Sequence, residues 1–161
     1  MRSVIPPDLM RIFCVLVLLT TCRCSFSQSP DMALTLTAPA TAVRLGGPIV
    51  VTAILTNTSN TAATVDRVNG ELYYEVVVRD ASGGILPPTE YEEGIRSHEM
   101  AIVSSRRETI APGRDLMEKI DLGKVAAIQE PGQYTVTVDR SNPLARGQTL
   151  ISNTVTITVT Q

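Results

Sequence analysis

Apolar and polar positions alternate with period two along most of the chain beyond residue 31, the pattern of strands with one buried face. In residues 32–38, Met32, Leu34 and Leu36 oppose Ala33, Thr35 and Thr37, and Pro39 stops the run. Residues 40–48 then lead through a Gly46-Gly47-Pro48 turn. In residues 49–56, Ile49, Val51, Ala53 and Leu55 share a face, while Val50 and Ile54 make the other face apolar as well. That double apolarity predicts a central strand. Asn57-Thr58-Ser59-Asn60-Thr61 has the composition of a turn. A short strand around residues 63–67 and an Asn69-Gly70 hairpin signal follow. In residues 72–79, Tyr74, Val76 and Val78 point one way and Tyr73, Glu75, Val77 and Arg79 the other.

The rhythm then breaks. Residues 85–100 carry Pro87-Pro88, which forbids a ladder, and show no clear period beyond it. They form the longest irregular stretch, and long loops tend to be functional or mobile. Alternation resumes near residues 101–110, passes an Ala111-Pro112-Gly113 turn, and continues through 115–122 with Leu116, Ile120 and Leu122 in step. One helical turn is expected within 123–130. Pro131-Gly132 then delivers Tyr134 onto a strand with Val136 and Val138 on the same face. A polar loop, 139–148, precedes a closing strand, 150–160, carrying Val155, Ile157 and Val159 on one side. Seven or eight short strands with regular turns predict an all-β fold, an antiparallel two-sheet sandwich of immunoglobulin-like architecture. Tyr134, just after its turn, is placed as a tyrosine corner, its ring in the core and its hydroxyl on upstream backbone. Alternation also puts Tyr74 in the core, and leaves Tyr73 and Tyr91 as surface anchors for a partner.

The amino end changes the picture. Arg2 and Arg11 precede the charge-free run of residues 12–19, too short for the ~30 Å hydrocarbon core that needs about 20 residues. Basic residues, a short apolar run and small residues around Ser25-Phe26-Ser27 read as a secretory signal peptide, residues 1–27, cleaved after Ser27. The mature chain, 28–161, is then a single exported sandwich domain with no transmembrane span, destined for the periplasm, cell envelope or extracellular space. Leu19-Thr20-Thr21-Cys22 is the competing signal, for a lipid anchor at Cys22. Cys14, Cys22 and Cys24 all fall inside the leader, so no disulfide, thiolate nucleophile or cysteine metal site is expected in the domain. Without the leader, eleven basic and fifteen acidic side chains leave a charge of −4. That balance excludes a nucleic-acid partner, whose phosphates need a basic patch.

Four stretches carry a resemblance. Leu55-Thr56-Asn57-Thr58-Ser59, Tyr74-Glu75-Val76-Val77-Val78-Arg79-Asp80, Ile110-Ala111-Pro112-Gly113 and Pro131-Gly132-Gln133-Tyr134-Thr135-Val136 are similar to blocks of small bacterial sandwich domains. The set resembles the BsuPI-type proteinase inhibitor domain and exported immunoglobulin-like proteins, over residues 32–160. The resemblance implies the sandwich fold and, for function, inhibition of a proteinase through a loop.

Candidate chemistry concentrates in the irregular stretch, where Glu90, Tyr91, Glu92, Glu93 and His98 form the candidate binding loop. His98 is the only histidine, and the acidic spacing there fits no EF-hand loop. No Gly-x-Ser-x-Gly elbow exists to expose a serine nucleophile, and no glycine-rich loop opens a helix to cradle phosphate. Asn57-Thr58-Ser59 fits a glycosylation sequon but reads as a turn in a bacterial setting. The expectation is an exported non-enzymatic binding or cell-envelope module with no cofactor and a protein or glycan partner. The alternative is a proteinase inhibitor acting through residues 86–100.

Overall fold

The computed structural model describes residues 31–68, 73–97 and 104–161. Residues 1–30, with the expected leader and Cys22, and His98 of the candidate loop lie outside them. Ten strands and two short helices follow one another: β1 Met32–Thr37, β2 Ala42–Arg44, β3 Val50–Asn57, β4 Ala63–Val68, β5 Glu75–Arg79, α1 Glu90–Arg96, β6 Ser105–Ile110, β7 Asp115–Asp121, α2 Leu122–Val125, β8 Gly132–Ser141, β9 Thr149–Ile151 and β10 Val155–Thr160.

One sheet runs β1-β3-β7, and β3 is its central strand, as its doubly apolar pattern predicts. The second runs β2-β10-β8-β5, with β9 paired to β8. The third and eighth strands thus sit as the B and F strands do in an immunoglobulin fold, each flanked within its own sheet. The inward residues of both sheets form one core. Met32, Leu34, Val51, Ala53 and Leu55 from the first meet Val78, Val136, Val138, Ile157 and Val159 from the second, all buried. The fold is an all-β sandwich, and the described residues contain no cysteine to cross-link it.

Four details differ from expectation, each for a local reason. The pairing is not wholly antiparallel, because β2 joins β10 in parallel, with Thr158 opposite Ala42 and Thr160 opposite Arg44. The chain leaves β1 at Pro39, which has no N–H for a ladder, and crosses to the other sheet. The expected closing strand is split in two. Ser152 Oγ takes the Val138 N–H at 3.0 Å. Asn153 bonds Leu36 of β1 in both directions, at 2.9 and 3.0 Å, so side chains replace the ladder there. The polar loop after β8 begins later than expected, since β8 continues to Ser141 and pairs with β9. Finally, the stretch expected to be an irregular loop contains α1. Thr89 caps it, accepting the Glu92 N–H at 3.3 Å, and Glu90, Glu92 and Glu93 place negative charge in its first turn.

The strand β8 begins at a corner of the expected kind. Tyr134 is buried, and its hydroxyl donates to the Glu130 carbonyl at 2.7 Å. β4 and β6 form a separate two-stranded ribbon that continues the β3–β7 direction beyond Asn57.

Candidate functional site

On the open side of the sandwich, where β7 ends one sheet and β5 the other, α1 is held across the gap by backbone bonds. Leu86 N–H donates to Val78 at 2.9 Å, Thr89 N–H to Val125 at 3.2 Å, and Ala127 N–H to Pro87 at 3.0 Å. The Thr89 hydroxyl also donates to the Lys124 carbonyl. The helix is therefore tied both to β5 and to α2, and a cavity of about 140 Å³ remains beneath it.

Every nearby element contributes to its wall. Tyr73, Tyr74 and Val76 come from β5 and the residues before it, and Tyr91, Glu92 and Ile95 from α1. β7 supplies Glu118, Lys119, Ile120 and Asp121, and α2 supplies Lys124 and Val125. Alternation explains the pair at β5. Tyr74 faces inward and is 5% exposed, whereas its neighbour Tyr73 is 54% exposed. On α1, Tyr91 is 41% exposed and Glu92 is 5% exposed. Lys124 holds its ammonium 6.0 Å from the centre of the Tyr91 ring, at the outer reach of a cation–π contact.

The carboxylates of the wall are partly committed to the fold. Glu118 accepts from Arg67 Nη1 at 2.6 Å, and Arg67 Nε in turn donates to Glu108 at 2.5 Å. The Glu108 hydrogen bond, opposed by burial and helped by Glu118, holds the Arg67 guanidinium more firmly protonated than usual. Asp121 accepts the Gly123 N–H at 3.1 Å and so starts α2. Behind the cavity, the Arg140 guanidinium carbon lies 5.2 Å from the centre of the Tyr74 ring. The Tyr74 hydroxyl and Arg140 Nε and Nη1 are buried without a hydrogen-bond partner among the described residues. Burial pushes the Tyr74 phenol above its ordinary value, and the Arg140 charge pulls the other way. Tyr74 thus stays neutral at physiological pH.

Of the candidate loop residues, Tyr91 and Glu92 reach the cavity. Glu90 and Glu93 are exposed on α1 and do not line it. Lys119, Asp121 and Lys124 join the site through the β7–α2 segment, which carries no sequence signal of its own. Among the described residues, no group of three or more His, Cys, Asp or Glu side chains could hold a metal ion, and no helix is long and apolar enough to cross a membrane. Asn57 cannot accept a glycan in the folded domain. It is fully buried, and its amide nitrogen donates to the carbonyls of Thr61 and Ile110, at 2.7 and 2.8 Å.

No protein-family model and no curated protein matches the chain. Among solved structures it is similar to a β-glucosidase from Erythrobacter marinus, at 13% identity and a TM-score of 0.43. That match covers 80% of this chain and spans only 15% of the β-glucosidase chain.

Proposed function

We propose that residues 28–161 form an exported, non-enzymatic immunoglobulin-like module that binds its partner at the cavity between α1, β5 and β7. One observation carries the reading. The domain's only aromatic side chains are four tyrosines, and three of them, Tyr73, Tyr74 and Tyr91, line this single cavity. Tyr134 is used by the corner. Two of the three cavity tyrosines are left largely exposed, although burying them elsewhere would have stabilised a core poor in aromatics. Exposed aromatic residues around a concave site with a few polar groups suit recognition. Glu118 and Asp121 hold Arg67 and the start of α2, a structural use that supports binding over acid–base chemistry. The helical form of α1, bonded at its base to β5 and α2, favours a fixed groove over an extended inhibitory loop that would enter a proteinase.

The test is co-sedimentation of the purified domain with a cell-envelope preparation from the source organism. The wild type is expected to sediment with the envelope, and the double variant Tyr73→Ala/Tyr91→Ala to remain in solution with an unchanged unfolding midpoint. Equal sedimentation of the two would refute binding through the cavity.

A further inference from the structure

The cavity's size and its charge pattern together restrict what it can hold. At about 140 Å³ it is close to the ~150 Å³ space that accommodates one benzene molecule. Because it is half open to solvent, it can seat one face of a six-membered ring while the ring's substituents and neighbours stay outside. The ligand's charge is restricted by the wall. Glu92, Glu118 and Asp121 would repel an anion, while the Lys124 ammonium beside the Tyr91 ring, with exposed Lys119 at the edge, would oppose a cation. An aromatic cage for a quaternary ammonium group would need its tyrosines without those lysines. A neutral ring bearing hydroxyl groups meets both signs favourably. Ammonium groups donate to its oxygens, and carboxylates, each with several lone-pair sites, accept from its hydroxyls even while also serving Arg67 or Gly123.

The tyrosines supply the remaining recognition. A pyranose has a flat face of C–H groups, and an aromatic ring that is both exposed and fixed in place offers that face a surface to cover. Tyr73 and Tyr91 are exposed rings at one cavity, one just before β5 and the other on α1, whose base is held by backbone bonds. A protein side chain of similar size is a poorer fit. Pockets that anchor peptide side chains have apolar centres and keep charge at the rim, whereas here carboxylate and ammonium groups share the wall with Val76, Ile95, Ile120 and Val125.

The geometry points to a single neutral sugar ring, the terminal or exposed unit of a glycan, stacked on Tyr73 and Tyr91 and hydrogen-bonded by Lys119, Lys124 and Asp121. This assignment rests on the cavity being the binding site proposed above. The test is an NMR titration of the domain with glucose, galactose, mannose and N-acetylglucosamine in turn, with choline and a neutral tetrapeptide as controls. At least one sugar is expected to shift the tyrosine ring resonances saturably at millimolar concentration, while the controls leave them unmoved. Tyr73→Ala and Tyr91→Ala should each weaken that sugar at least tenfold. Tyr73→Phe and Tyr91→Phe, which keep the stacking face, should stay within about threefold of the wild type. Saturable binding of choline or the peptide, no binding of any of the four sugars, or sugar binding that survives both alanine variants would overturn the assignment. If no sugar binds but envelope sedimentation still depends on the two tyrosines, the ligand class fails and the binding module stands. If sedimentation is also indifferent to them, both fail.

Discussion

Asp139 on β8 lies directly opposite Glu75 on β5, and like charges facing each other across a ladder are unfavourable. Burial, and after it the Glu75 charge, holds the Asp139 carboxyl above its ordinary value of 3.8. A raised acid binds its proton more tightly in the folded state than in the unfolded state. Its ionisation therefore lowers stability as pH rises through the window between the ordinary and the raised value, and the cost is absent below that window. Asp139→Asn, which cannot ionise, is expected to be more stable than the wild type at neutral pH. Urea midpoints should converge as the pH drops to about 3, below the ordinary carboxylate value. A gap of constant size across that range would contradict the account. Alternation made the side of each such residue legible, turning Tyr74 and Tyr134 inward and Tyr73 outward, whereas Tyr91, 41% exposed, lies in the stretch without a clear period. The partner opposite each residue was not legible, because register depends on which strands pair.

Asn57 shows how one side chain joins elements that the pattern alone presents as separate. It reads as the first residue of a turn, yet it ends β3 fully buried. Its backbone N–H donates to Arg114, and its carbonyl accepts from Gly113, which sits at φ 68 in the left-handed region that favours glycine. Its amide nitrogen bonds Thr61 and Ile110, while its amide oxygen accepts from the Ser59 N–H and hydroxyl. It thereby fastens the β4–β6 ribbon to the β3–β7 pair. Asn57→Ala strips four hydrogen bonds and takes a donor from the buried Ile110 carbonyl, so a loss of about 3 kcal/mol is expected in chemical denaturation. A loss below about 1 kcal/mol would mean that water replaces the amide there. The long strands were legible because their period is sustained, whereas β2, at three residues, is too short to show one, and β9 was legible only as the start of the closing strand. The helix α1 is also too short for a clear 3.6 period, but Thr89-Glu90-Tyr91-Glu92 matches a capping box and was the available signal. The cavity itself was only half legible. Tyr91 and Glu92 stood out along the chain, while Lys119, Asp121 and Lys124 reach them only once β7 and α2 are folded against α1.

Across the whole molecule, the sandwich does without the covalent link that joins the B and F strands of antibody domains, a link that typically contributes 2–4 kcal/mol. Val136 stands on β8 two residues after the corner tyrosine, where such a domain carries its second cysteine. The two sheets are held instead by the shared core, by the Tyr134 corner and by Asn153, which reaches from the β9–β10 connection to Leu36 on β1. Domains of this size keep only about 5–15 kcal/mol of net stability, so a single large core side chain accounts for a substantial fraction of it. Leu55 is fully buried on the central strand β3, and Leu55→Ala is expected to cost about 3 kcal/mol through lost burial and the cavity left behind. Urea denaturation of residues 28–161 should show a lower midpoint at unchanged slope, since the surface exposed on unfolding is nearly the same. A loss under about 1 kcal/mol would show that the sheets collapse onto the gap. The site's tyrosines lie at the open side, between the edge strands and α1, so a core weakened at Leu55 should still bind as long as it remains folded.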